Sequence, residues 1–292
     1  MFNKVRFLAA ALGLLALASC GKAPEKVTPA LWQVDGPKGE RAWLMGTIHA
    51  LPVPVDWHSA PIDQALAASD GLILEVAAVD DDARTARIFA SLAQSPGLPP
   101  LDQRIAPDLR DDLAKDLKAN GLDAAKLSGT ETWAAALMLA QALQGAVEAD
   151  SANGIDRALV KAAKDKPVSE FEGAERQLRL FDALPEAQQQ ALLAAVVKGA
   201  DQARDESRRI ETAWKKGDMA AIAATDHTGM LADPALRQVL LVGRNQAWSE
   251  QLVLLLGRGR KPFVAVGAAH LAGSDGLPAL LEARGYKVRR IQ

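Results

Sequence analysis

Two stretches at opposite ends of the chain constrain its fold more than any other feature. "RAWLMGTIH" ends at His49, and "KPFVAVGAAH" ends at His270. Each is an apolar run of strand length that leads into Gly-x-x-His, through Gly46 in the first and Gly267 in the second. A helix-like stretch and another strand follow in both cases, "GLILEV" after the first and "YKVRRI" after the second. A buried strand needs neighbours for its backbone, so two matched copies imply one sheet assembled from both ends.

The remaining pattern fits that frame. "LWQVD" and "RAWLMGT" read as two strands joined by a turn at "GPKGE" (36–40), 58–69 as a short amphipathic helix, and "DGLILEVA" (70–77) as an apolar strand carrying Glu75. From about 102 to 257 helical spacing dominates. Trp133, Ala136, Leu137, Ala140, Leu143 and Val147 recur at three- and four-residue steps, as do Leu192, Leu193, Val196, Val197 and Ala200. Trp214 and Trp248 lie on similar stripes, and helix core is the simplest use for all of them. "KPVSEFE" (166–172) interrupts as a strand, and "DGLPALLEARG" reads as the last helix, with Ser274 or Asp275 as its cap. The expected class is α/β: a central mixed β-sheet formed by N- and C-terminal parts, with a large helical insertion between the two Gly-x-x-His strand ends. One domain over 31–292 is expected; a separate helical domain is the alternative.

The first residues follow different rules. "MFNKVRFLAAALGLLALASC" has Lys4 and Arg6, then an apolar run from Phe7 to Ala18, then small residues. That is the layout of a secretory signal peptide over 1–19, too short in its apolar part to span a bilayer. Leu17-Ala18-Ser19-Cys20 resembles a bacterial lipobox, and Cys20 is the chain's one cysteine. Lipidation of Cys20 would anchor the protein to a membrane. Gly21 in place of Asp suggests outer-membrane sorting, facing the periplasm, in a host with two membranes. Polar residues 21–30, with Pro24 and Pro29, read as a tether. With 34 basic and 36 acidic side chains, charge gives no bulk reason to bind nucleic acid.

Histidines at equivalent strand ends can converge on one crevice, since ligands of α/β sheets sit outside the carboxyl ends of strands. Two imidazoles plus a carboxylate form a frequent catalytic-metal set that leaves positions open for water. Glu75, among Leu72, Ile73, Leu74 and Val76, is the obvious carboxylate, because a buried charge needs a partner. The bland alternative has the histidines bonded to loop carbonyls and Glu75 in solvent. His58 reads as a helix-start residue and His227 as a loop residue. No Gly-x-Ser-x-Gly elbow occurs, and lipidation would leave no free cysteine as nucleophile.

At these motifs the chain resembles the TraB/GumN family, bacterial relatives of the TIKI metalloproteases. The matching pieces are "LMGTIHALP", "DGLILEV", "GIDRAL", "VSEFEGAERQL", "GRNQAW" and "FVAVGAAHLAGSDGLPALLEARGYKV", in family order. Phe171, where leucine is usual, is a mild departure. The resemblance implies a fold related to erythromycin-esterase-like proteins and a site on His49, Glu75 and His270. Arg244 joins it as a catalytic group, with Asn245, Asp156 and Glu172 in substrate contact or supporting roles. It implies a metal-dependent hydrolase, a peptidase among the candidates, with manganese, cobalt or zinc held by His49, Glu75 and His270. Glu75 is then ligand or general base. Metal-free His–Glu acid–base chemistry and a binding protein that sequesters a peptide or small ligand are the alternatives.

Overall fold

The computed structural model describes residues 23–145, 149–163 and 165–292. The segment expected to be a signal peptide, Cys20 and Val147 lie outside the described residues. Strands are β1 (Glu25–Lys26), β2 (Leu31–Asp35), β3 (Arg41–Thr47), β4 (Val55–Asp56), β5 (Gly71–Leu74), β6 (Val168–Glu170), β7 (Pro262–Gly267) and β8 (Lys287–Arg290). Helices are α1 (Ala60–Ala68), α2 (Asp82–Leu92), α3 (Arg110–Ala119), α4 (Thr132–Gly145), α5 (Ile155–Ala162) and α6 (Gly173–Asp182). They continue as α7 (Glu186–Gly199), α8 (Ala203–Lys215), α9 (Met219–Ala223), α10 (Pro234–Arg237), α11 (Gly243–Gly257) and α12 (Leu277–Ala283).

Six strands form one mixed sheet in the order β6-β5-β7-β3-β2-β8. β6, β5, β7 and β3 run parallel, while β2 is antiparallel to both β3 and β8. The two ends of the chain meet at the centre, with Trp43 opposite Phe263 and Thr47 opposite Gly267. Both strand ends therefore finish side by side, on the same edge of the sheet.

Period-2 alternation then sorts side chains to two faces. Trp43, Met45, Phe263 and Ala265 join a core with α1, α5, α8 and α9. Ala42, Leu44, Val264 and Val266 join another with α11 and α12. A third core lies within the helical region, where the Trp133 and Leu192 stripes of α4 and α7 meet. Fully burying each Leu, Val or Phe contributes about 1.5–3 kcal/mol before entropy.

Several local expectations shift. The strand carrying Glu75 ends at Leu74, so the carboxylate stands just past the sheet rather than within it. The segment read as a tether is docked from Glu25 onward. β1 pairs with β4, Val27 is buried, and its N–H donates to the Asp56 carbonyl. The last helix has Gly276 at its cap position, because the Asp275 carboxylate is drawn to Arg237 at 2.8 Å.

Candidate functional site

His49 follows β3 in a bend clamped from two sides. The Ile155 N–H donates to the Ile48 carbonyl, and the Trp214 indole N–H donates to the Gly46 carbonyl at 2.8 Å. A Cβ on Gly154 would collide with the His49 carbonyl, so only glycine admits the bend this close to α5. Asp156, in the first turn of α5, then meets the ring: its Oδ2 lies 2.8 Å from His49 Nδ1. Thr47 donates its hydroxyl to the other oxygen at 2.9 Å.

The two motif glycines are there for space. Neither has a positive φ, so conformational freedom is not why they are glycine. A Cβ on Gly46 would lie 3.1 Å from Ala268 Cβ. On Gly267 it would lie 3.2 Å from Glu75 Oε1, 3.4 Å from His49 Nε2 and 3.7 Å from His270 Cδ2. All three expected side chains thus converge on one point, which glycine leaves empty.

Glu75 is held from both sides. Oε1 accepts the Gly267 N–H at 2.7 Å, and Oε2 accepts from Arg244 Nη2 at 2.6 Å and from Gln177 Nε2 at 3.3 Å. Arg244 also forks onto Glu172, with Nη2 to Oε2 at 2.9 Å and Nε to both oxygens at 3.1 Å. A π-helical turn, Gln238–Val242, precedes α11, and Arg244 Nη1 donates back to the Leu240 carbonyl. Such turns shift the phase of a helix and are frequent at functional sites.

His270 lies in a 3-10 turn (Ala268–Leu271) just beyond β7. Its Nδ1 is 2.6 Å from Asn245 Oδ1, and its Nε2 is 3.2 Å from Arg244 Nη1. Trp248, one turn on from Arg244, binds the group together. Its indole N–H donates to Glu172 Oε1 at 3.1 Å, the Arg244 guanidinium lies 4.6 Å over its ring, and the His270 ring is 4.5 Å away. Trp248, expected as helix core, is fully buried and also bonds this cluster, while Gln177 and Thr47 join it without any signal in the sequence motifs. The i, i+4 spacing of Arg244 and Trp248 was the available signal.

All seven expected polar residues of the site belong to this cluster. Exposure divides them: the His49 side chain is 65% exposed, against 11% for Asp156, 10% for Arg244, 8% for His270 and 6% for Glu75 and Glu172. Asn245 has no exposed surface. It orients His270 and, through Nδ2, holds the Asp275 carbonyl, so both ends of its amide are engaged within the protein. His58 instead pairs with Asp63 at the surface, and His227 lies in a turn, Ala224–His227.

The protonation states separate accordingly. The Asp156 carboxylate raises His49 to about 9. Water reaches the exposed ring and screens that pair. Burial lowers His270 to about 4, against the pull of Glu75. Burial alone would raise Glu75, but His270, His49, Arg244 and the Gly267 N–H outweigh it and bring the carboxyl to about 2. Arg244 is held above its usual value by Glu75 and Glu172 despite burial. Titratable groups pushed apart in this way mark acid–base sites.

A divalent metal would find part of a ligand set here. Both Nδ1 atoms are engaged by side-chain oxygens, as in ligand histidines, and a carboxylate is adjacent. The charges do not suit. The Arg244 guanidinium already contacts Glu75 Oε2 and His270 Nε2, and a dication bound to them would lie against it. Glu75 and His270 would have to release Arg244 before they and His49 could serve as a ligand set.

Fold and site together define a class: mixed α/β proteins whose central parallel strands end in a paired-histidine, carboxylate and guanidinium cluster. The TraB/PrgY/gumN family matches residues 30–290, and the chain belongs to that family. It is 28% identical over 257 residues to the uncharacterized protein YbaP of Shigella flexneri, covering 84% of this chain and 89% of that one. It is likewise 28% identical over 250 residues to the uncharacterized protein YbaP of Escherichia coli (strain K12), covering 82% and 86%. No solved structure matches the chain.

Proposed function

We propose that this protein is a hydrolase acting on a peptide or a small amide or ester, held at the bacterial envelope by a lipid on Cys20. The observation that carries the reading is the His49–Asp156 pair. A carboxylate that fixes one ring nitrogen leaves the other free to take a proton. Nε2 and Glu75 Oε1 both face the space over Gly267, and the ring is the open member of an otherwise buried cluster. In this reading a water beside His49 gives its proton to Nε2 as its oxygen attacks the substrate carbonyl carbon. The imidazolium then returns the proton to the leaving nitrogen or oxygen as that bond breaks. Glu75 stabilises the imidazolium. Arg244, forked between Glu75 and Glu172, and Asn245, bonded to His270, act as positioning groups.

A metal-dependent form of the same hydrolysis is the second reading, favoured by the side-chain anchors on both Nδ1 atoms. Manganese, cobalt or zinc would be held by His49, Glu75 and His270, with Arg244 displaced from them.

One experiment separates the readings. The protein lacking residues 1–20 is assayed on peptide and ester libraries, with and without a chelator, beside His49→Ala. The first reading expects turnover that resists chelation and falls by about 10²–10⁴ in the variant. Chelator-sensitive turnover with bound metal would select the second. Ligand binding without turnover, unchanged in His49→Ala, would mark a binding protein instead.

A further inference from the structure

A cavity of about 390 Å³ opens where α2 and α6 meet the exits of β5 and β6. That volume lies in the range of small-molecule sites. Glu172 lines it, so it shares a wall with the buried cluster. Arg84 reaches it from α2, and Arg176 and Arg179 from α6, with Thr85 and Ile88 beside them. Three carboxylates also line the cavity, and each is already engaged. Glu172 is held by Arg244 and Trp248, Glu175 pairs with Arg179 at 2.9 Å, and Glu170 accepts the Ala77 N–H at 2.7 Å. Arg84 and Arg176 have no ion-pair partner among the described residues.

We propose that this cavity is a subsite for the anionic end of the substrate, a carboxylate or phosphate gripped by Arg84 and Arg176. That the ligand is the substrate rests on the hydrolase reading; the anion site itself does not. Two guanidiniums brought to one cavity by different helices, with no carboxylate of their own, suit a ligand that supplies the missing charge. The guanidinium fork matches both oxyanions in geometry. Ile88 and Ala78 give the cavity an apolar wall for the carbon skeleton next to that group. The site would then favour acidic substrates over neutral ones.

Calorimetric titration of the mature protein with inorganic phosphate and, separately, with glutarate tests this. Saturable binding is expected for at least one probe, weakened about tenfold or more in Arg84→Gln/Arg176→Gln. Phosphate alone would indicate a phosphorylated substrate, glutarate alone a carboxylate. Arg87→Gln, on α2 but outside the cavity lining, should bind as wild type. If the double variant loses its thermal transition, the two single variants are read instead. No saturable binding of either probe, or binding unchanged without the two arginines, overturns the proposal. Intact probe binding in a protein with no turnover would sink the hydrolase reading and leave the anion site standing.

Discussion

Asn245 accepts the Nδ1 proton of His270 at 2.6 Å, and neither residue is open to solvent. The same amide donates to the Asp275 carbonyl at 2.8 Å, tying α11 to the start of α12. Asn245→Ala strands a ring N–H and a carbonyl. Each unsatisfied buried group costs about 1–3 kcal/mol. The urea midpoint should fall accordingly. Asn245→Asp keeps an acceptor for the ring but loses the donor, and should fall less if the His270 bond matters more.

Arg244 is the counter-charge for two buried carboxylates. Arg244→Met leaves Glu172 without a cation and Glu75 with only the two histidines, and breaking a buried pair in this way typically destabilises by about 3–5 kcal/mol. Arg244→Lys restores charge but not the fork, so it should recover only part. Arg244→Met/Glu172→Gln should be more stable than Arg244→Met alone. Thermal melts of the four proteins check the order, and equal midpoints for the single and double variants would show that Glu172 needs no cation.

Activity should follow the His49 proton. With His49 raised to about 9 by Asp156, the free base grows as pH rises, so kcat/KM should climb from pH 7 towards 9 and then level. Asp156→Asn removes the charge that raises it, and the climb should move towards 6.5. A profile in Asp156→Asn that coincides with wild type would mean that the titrating base is not His49.

Stability has its own pH signature. His49 is raised from 6.5 to about 9, so its contribution is full below 6.5 and lost as pH rises through 9. His270 is lowered to about 4, so its contribution is present above 6.5 and lost as pH falls towards 4. Glu75, lowered to about 2, adds stability above 4.5 that disappears as pH falls through 2. These three groups together favour a maximum near 6.5. His49→Ala should flatten the alkaline side, and His270→Gln the decline between 6.5 and 4. Denaturation midpoints from pH 3 to 10 read both sides.

Trp248 is the residue whose importance emerged from packing. Trp248→Phe keeps most of the buried ring but loses the N–H to Glu172, so it should cost about 1–3 kcal/mol. If Arg244 needs that support, the variant should also lower kcat more than it raises KM.

What the sequence determined is what depends on neighbours along the chain: strands read from apolar runs, helices from three- and four-residue stripes, and histidines three residues beyond glycines. It also carried His49, Glu75 and His270, because charged or polar groups beside buried strands stand out. Only the tertiary structure decided that β3 and β7 lie side by side, since strand pairing is set by contacts between distant segments. It decided that Glu75 stands past its strand, where Gly267 could reach it, and that the glycines are small for one another's neighbours rather than flexible. It also divided the roles. His49 is open while Asn245, Arg244 and Glu172 are spent on one another, because burial and partner geometry belong to the assembled fold and have no trace in residue type.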